Sequence, residues 1–405
     1  MSRALDGIRV LDFSRVLAGP YCTMILGDLG ADVIKVERAG VGDDLRQWGP
    51  PFMPDGESTY FLSVNRNKRS IALDLKTEGG RNLAVRLARQ CDILVENFRP
   101  GVMEALGLGY EQLQEVNSRL VYCSITGHGA AGPLADRPGY DVVTQGMGGL
   151  MSVTGEPDGT PTRVGVAIVD MVTGLYSATA ILGALQSRHH SGKGQRVDLS
   201  LLGSCLSVMP NLTAGYLMSG VKPERLGNGH PNAVPYKVFP TNDGNVTLAV
   251  GNDGQWARLC EAVGQPQLAC DPRYAENHAR IARRAEVEGM VTEWFLQKTT
   301  DEWVEVLSQR QVPCGAIYTI DRILAHPQIE ALALLKTIQH PTGGPLCMVG
   351  APFHLSMDDT EPHLPPPLLG EHTAAVLKEL LSLDDPDLRE LEQNGAFGRR
   401  SVREA

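Results

Sequence analysis

The chain has 405 residues, 42% hydrophobic and 21% charged, the make-up of a folded protein long enough for two domains. Its formal charge of −10, from 37 basic and 47 acidic residues, excludes the basic face that a nucleic-acid binder needs. No unbroken run of eighteen apolar residues occurs, so the sequence predicts no membrane span. The opening residues Met1-Ser2-Arg3-Ala4-Leu5-Asp6 pass almost at once into a strand pattern, which predicts neither a signal nor a transit peptide. Residues 8–13 read as a buried strand. A turn at Ala18-Gly19-Pro20, a helix through Thr23, Leu26 and Leu29, and a strand over 32–37 complete a βαβ unit. A helix over 77–90 and strands over 92–96 and 120–125 continue the alternation, which predicts a parallel α/β sheet.

Glu37, at the end of the second strand, stands where a ribose-binding acid would. The first loop, Ser14-Arg15-Val16-Leu17-Ala18-Gly19-Pro20, lacks the G-x-G-x-x-G fingerprint, and Pro20 removes a backbone donor that a pyrophosphate would use. These features argue against an NAD-dependent enzyme.

Further along, the run 165–174 places Asp170 alone among apolar residues between two glycines. Small and apolar groups at helical spacing follow, up to Ser191-Gly192-Lys193-Gly194. Two readings of Asp170 are open: an N-cap of that helix, or a partly desolvated carboxylate nucleophile. A strand over 195–200 and an apolar helix over about 202–218 come next, then a Gly-, Pro- and Asn-rich linker over 222–235.

Strands over 236–240 and 245–250 around the turn Asn242-Asp243-Gly244, with helices over 255–263, 279–297 and 300–309, predict a compact second domain. Short strand-like pieces from about residue 336, the bend 365–370 and a helix over 373–381 are expected to return to the first domain. The domain expectation is therefore 1–200 for the large domain, 201–235 for helix and linker, 236–327 for the small domain and 328–405 for the return segment. The ending, 399–405, is expected to fray.

Eight cysteines are scattered without a C-x-x-C pair, and ten histidines form no H-E-x-x-H set. The expectation is a reduced cytoplasmic protein with no metal. Three places concentrate cations: Lys35-Val36-Glu37-Arg38, then 65–70 running into 71–76, then Asn97-Phe98-Arg99-Pro100-Gly101. Two of them end strands on the side where open α/β sheets bind ligands, which favours a phosphate-rich ligand.

Read in order, these pieces resemble the family III CoA-transferases (the CaiB/BaiF or formyl-CoA transferase family) over nearly the whole chain. The resemblance rests on Val10-Leu11-Asp12-Phe13 with the Ala18-Gly19-Pro20 turn, residues 30–37, Asn67-Lys68-Arg69-Ser70-Ile71, and Glu96-Asn97-Phe98-Arg99-Pro100-Gly101. It continues in Arg137-Pro138-Gly139-Tyr140-Asp141, Asp170, and 366–373. The segments 42–52 and 57–68 look closest to the branch acting on succinate and hydroxymethylglutarate. The resemblance implies a large Rossmann-like parallel-sheet domain, a smaller α+β domain and an interlocked homodimer.

It also implies that Asp170 attacks an acyl-CoA thioester and passes through anhydride and aspartyl-CoA intermediates. CoA contacts would fall on Val16, Leu17, Arg38, Leu73, Asp74, Leu75, Lys76, Asn97, Phe98, Arg99, Arg137 and Tyr140. CoA is then a substrate moiety, with no permanently bound cofactor. The partners are an acyl-CoA, with succinyl-CoA the expected donor, and a carboxylic acid, expected to be a dicarboxylate, with neither nucleic acid nor membrane.

Two departures stand out. Ala105 occupies a place where some members carry a basic residue, and Gly251-Asn252-Asp253-Gly254-Gln255-Trp256 lacks the four-glycine loop of formyl-CoA transferases. A racemase is the competing reading within the fold. It would need a second base where Tyr140 stands, and tyrosine is a poor base at neutral pH. A non-catalytic CoA-binding subunit is a third reading, and the presence of Asp170 counts against it. The second carboxylate of an acid substrate would call for Arg46, Arg66 or Arg99.

Overall fold

A computed structural model describes residues 3–398; the stretch 399–405, expected to fray, lies outside the described residues. Two compact units are present. The first comprises the residues up to Leu150, Val164–Ser219 and those from Leu332 onward; the second comprises Met151–Arg163 and Gly220–Ala331.

In the first unit, β1 (Arg9–Asp12), β2 (Asp32–Arg38), β3 (Lys68–Leu73), β4 (Ile93–Glu96), β5 (Val121–Thr126) and β6 (Arg196–Ser200) form one sheet in the order β3-β2-β1-β4-β5-β6. Every neighbouring pair is parallel. Strands such as Ile93-Leu94-Val95-Glu96, buried throughout, carry the apolar runs of a sheet covered on both faces. Strand order reverses between β1 and β4. The loops leaving their carboxyl ends, Phe13 to Leu17 and Asn97 to Phe98, flank the crevice where such sheets bind ligands.

Helix α1 (Ala18–Asp28) crosses the long helix α4 (Ile168–Ser191) so closely that a Cβ on Gly174 would lie 2.7 Å from the Ala18 carbonyl oxygen. Helix α2 (Glu78–Ala88) starts at Thr77, whose hydroxyl accepts from the Gly80 N–H at 3.0 Å. Its Leu83, Ala84, Leu87 and Ala88 join Leu11, Ile34, Ile71 and Leu94 in a buried cluster that also takes Val376 and Leu377 from the helix Thr373–Leu381. The chain from Leu332 onward is tied to β3 and its approach: Asn67 Oδ1 accepts from the His363 and Leu364 N–H groups at 2.8 and 3.0 Å.

Helix α3 (Asp141–Met147) and then α4 precede β6. α4 is long and apolar enough to cross a membrane by length and composition, although Asp170, Thr173, Gly174 and Ser177 interrupt its apolar run. It lies against the sheet and α1, with 44% of its apolar window buried. The helix predicted over 202–218 is instead two, α5 (Leu201–Ser207) and α6 (Pro210–Ser219), bent by 78°. Pro210 has no N–H for a continuous ladder, so the helix restarts there.

In the second unit, β7 (Tyr236–Pro240), β8 (Asn245–Ala249) and β9 (Cys314–Ala316) make an antiparallel sheet over a core with Phe239, Trp256, Phe295 and Trp303. The helix predicted over 279–297 is divided into Asn277–Ala282 and Arg284–Phe295. Residues 151–163, expected in the large domain, are grouped here: Arg225 donates to the Glu156, Pro157 and Gly159 carbonyls.

Candidate active site

The crevice wall begins with a set of buried charges. Asp12, at the end of β1, accepts from the Ser14 N–H at 2.9 Å, the Thr23 hydroxyl at 2.6 Å and Lys68 Nζ at 3.3 Å. Lys35 Nζ donates to the Ser14 carbonyl at 2.9 Å and to Asp43 Oδ2 at 2.8 Å. Burial, the largest single influence, raises the Asp12 and Asp43 carboxyls, but the lysines and the hydrogen bonds they accept together outweigh it and hold both below the ordinary value. Burial dominates at Lys68, which falls to about 8.

The network over-determines the loop after β1. There Val16 is held at φ +64, a left-handed backbone that a β-branched side chain rarely accepts. The Val16 N–H donates to Asp43 Oδ1 at 3.1 Å, while Asn97 accepts from the Arg15 N–H at 2.8 Å and donates to the Arg15 carbonyl at 2.7 Å. Loops from both sides of the switch point are thereby locked together.

Two cavities open here. The larger, about 530 Å³, is lined by Arg38, Leu73, Asp74, Leu75, Lys76 and Phe98, with Arg15 and the buried Lys35. The smaller, about 150 Å³, is lined by Val16, Leu17, Asn97, Tyr140 and Asp170, together with Arg15, Asp44 and the backbones of Gly127 and Gly139. The last two touch: a Cβ on Gly139 would lie 2.4 Å from the Gly127 Cα, so neither position admits a side chain.

Asp170 occupies the first turn of α4 but is not its cap. The N-cap position is Ala167, and Asp141 from α3 supplies the acceptor: its Oδ1 takes the Val169 N–H at 2.8 Å and the Asp170 N–H at 3.3 Å. Gln145 braces this cap, donating to Asp141 Oδ2 at 2.6 Å and accepting from the Val164 N–H at 2.9 Å. The Asp170 carboxylate is thus left for the cavity. Burial first, and the nearby Asp141 charge second, push it from 3.8 to about 7. Tyr60 is raised by burial and then by the charges of Asp170 and Asp141, which places its hydroxyl in their field.

Of the residues expected to contact CoA, Arg99 and Arg137 stand apart. Arg99 lines a separate cavity of about 280 Å³ with Glu96, Glu104 and Arg196, and Arg137 is exposed and lines neither main cavity. The β4–loop turn aims Asn97 and Phe98 into the crevice and Arg99 away from it. The three cations considered for a second carboxylate are likewise elsewhere. Arg46 is buried between Glu37 (2.7 Å) and Glu57 (3.2 Å), and Arg66 is paired with Asp28 at 2.6 Å. Arg15, Asp44, Tyr60 and Asp141 were not singled out from the sequence. Arg15 stood next to the expected contact Val16, and Asp141 next to Tyr140.

The described residues include no group of three or more His, Cys, Asp or Glu able to hold a metal ion. A parallel sheet with a two-chambered cleft at its switch point, ending on a half-buried carboxylate, defines the class: an α/β protein built to hold an elongated ligand. Comparison narrows this. Residues 5–373 match CoA-transferase family III, and the chain belongs to that family; it is a CoA-transferase.

It is 42% identical over 400 residues to the human succinyl-CoA:glutarate CoA-transferase, covering 99% of this chain and 91% of that one. It is 46% identical over 385 residues to the succinate–glutarate CoA-transferase of Agrobacterium fabrum, covering 94% and 96%. A crystal structure of a CaiB/BaiF family protein from Brucella suis superposes with a TM-score of 0.82 at 43% identity, covering 94% of this chain and all of that one.

Proposed function

We propose that the protein moves CoA from succinyl-CoA to a dicarboxylic acid of the glutarate class, with Asp170 as the nucleophile. The observation that carries this reading is the Asp170 carboxyl, freed from capping by Asp141 and held near neutrality at the end of the cleft. The likeness to the glutarate-directed transferases supports the substrate class.

The nucleotide of CoA occupies the larger cavity beside Arg38, Lys76 and Phe98, and the thioester reaches Asp170. The ionised carboxylate attacks the thioester carbonyl and expels CoA thiolate, leaving a succinyl–aspartyl anhydride. The thiolate attacks the aspartyl carbonyl, forming an aspartyl-CoA thioester and releasing succinate. An acceptor carboxylate then displaces the thiolate to give a second anhydride, and the thiolate takes the acceptor's acyl carbon, returning Asp170 as carboxylate. No proton is consumed overall. Partial desolvation favours the attack, because a carboxylate shed of water is the stronger nucleophile. Tyr140 lines the same chamber as Asp170, where a racemase would call for a second base, and a phenol there in place of an imidazole or carboxylate favours transfer over racemisation.

CoA enters and leaves as part of the substrates, with no resident cofactor. The working form is a cytoplasmic homodimer of interlocked chains: Val142 and Met147 of α3, Leu175 and Tyr176 of α4, Leu206 of α5 and Leu217 and Met218 of α6 leave apolar surface exposed for a second copy to cover. Light scattering showing twice the chain mass supports the dimer, and a monomer at micromolar concentration contradicts it.

The test of activity is succinyl-CoA with a panel of glutarate, hydroxymethylglutarate, itaconate, malate and mesaconate, following the new thioester by chromatography. Transfer to at least one acid is expected, together with a loss of at least about 10³-fold in Asp170→Asn. Undiminished turnover in that variant, or solvent deuterium entering the acyl α-carbon without exchange of acids, contradicts the proposal.

A further inference from the structure

We infer that Arg15 binds the diphosphate of CoA and so sets how far the pantetheine arm reaches toward Asp170; the inference rests on the CoA placement proposed above. Among the described residues, Arg15 is the one that lines both cavities and the only cation lining the chamber of Asp170. Any ligand running from the larger chamber to Asp170 passes it. Its backbone is held on both sides by Asn97, and the next residue is the strained Val16, so the position is fixed before a ligand arrives.

The guanidinium lies over the Phe98 ring, 4.9 Å from the centroid. Asp44 stands between two guanidiniums, 3.4 Å from Arg15 and 3.9 Å from Arg38. All three side chains are about 40–50% exposed (39%, 43% and 53%), so these ion pairs are weak and exchange readily. Lys35, by contrast, is buried and its charge is already met by Asp43, leaving Arg15, Arg38 and Lys76 as the cations of the cleft able to meet a ligand. Arg15 and Arg38 converging on one carboxylate mark a place where a linked pair of phosphates can be gripped by both, with the fork geometry that guanidinium offers.

The test is steady-state kinetics of Arg15→Gln, Arg15→Lys and Arg38→Gln with succinyl-CoA and with succinyl-pantetheine, which lacks the diphosphate. Arg15→Gln is expected to raise KM for succinyl-CoA about 10- to 100-fold, to change kcat/KM for succinyl-pantetheine and KM for glutarate no more than about two-fold, and to be partly rescued in Arg15→Lys. Retained turnover of succinyl-pantetheine shows that the variant folds. If KM for glutarate rises instead, Arg15 reads the acid and the inference is wrong. If Arg15→Gln has no effect while Arg38→Gln raises KM for succinyl-CoA, the inference fails and the CoA placement stands. If neither variant affects succinyl-CoA, the placement itself fails.

Discussion

Replacing Asp170 by asparagine should make the protein more stable, and only at higher pH. In the folded chain the carboxyl is pushed to about 7 from an ordinary value of 3.8, by burial and then by Asp141. Below about pH 4 the group is neutral whether the chain is folded or not, and its contribution to stability is fully present. As pH rises the unfolded chain loses its proton first, and stability falls until the folded group also ionises, levelling off above pH 7. The difference between the two values corresponds to about 4 kcal/mol. Asparagine mimics the neutral acid and keeps what the wild type loses. Any attraction of the charge for the α4 N-terminus is already contained in the folded-state value, so the gain above pH 7 is the full difference of about 4 kcal/mol. For a chain of this length that is a midpoint shift of about 5 °C. Calorimetry of both proteins at pH 4, 6, 7 and 8.5, at one protein concentration, should show coincident midpoints at pH 4 and the full gap at pH 8.5. A gap independent of pH, or one that widens on acidification, would refute the reasoning.

Asp141→Asn should keep the α4 cap through its side-chain oxygen while removing the charge that raises Asp170, so the acidic limb of kcat/KM against pH should move down by about one pH unit from its position near 7; an unmoved limb would show that Asp141 does not act on the nucleophile. Asp141→Ala should also lose the cap, at a cost of about 1 kcal/mol in urea unfolding. Gly139→Ala drives a methyl into the Gly127 backbone at 2.4 Å and should cut turnover at least about 100-fold while lowering the melting point; near-normal turnover would mean the two strands of chain can part cheaply. Asp12→Asn leaves Lys68 buried without its counter-charge and should cost about 3–5 kcal/mol by urea unfolding, whereas a cost under about 1 kcal/mol would show that Lys68 is neutral in the fold.

Much of the first unit was legible because its information is local. Fully apolar strands such as 93–95 and the alternation of strand and helix announce a covered parallel sheet. Asp170 was visible as a lone charge in an apolar run. Its environment was not, because the cap comes from Asp141, twenty-nine positions earlier and on another helix. Local spacing makes Asp170 look like the cap; tertiary packing hands that role away and leaves the carboxyl to the cavity. Arg99 lines a different cavity from Asn97 and Phe98 for a similar reason: adjacency says nothing about which way the turn aims each side chain. Arg46 and Arg66 read as available cations, yet each is spent on a buried carboxylate that only the fold brings near. The break at Pro210 follows from proline chemistry, which the continuous apolar pattern on both sides of it masks.

Transfer by this route covalently attaches Asp170 to the group being moved. Incubating the protein with succinyl-CoA alone, quenching with hydroxylamine and sequencing the peptides by mass spectrometry tests it directly. A hydroxamate is expected on Asp170 and nowhere else, absent when succinyl-CoA is omitted. An unmodified Asp170 peptide from protein that is turning over would contradict it.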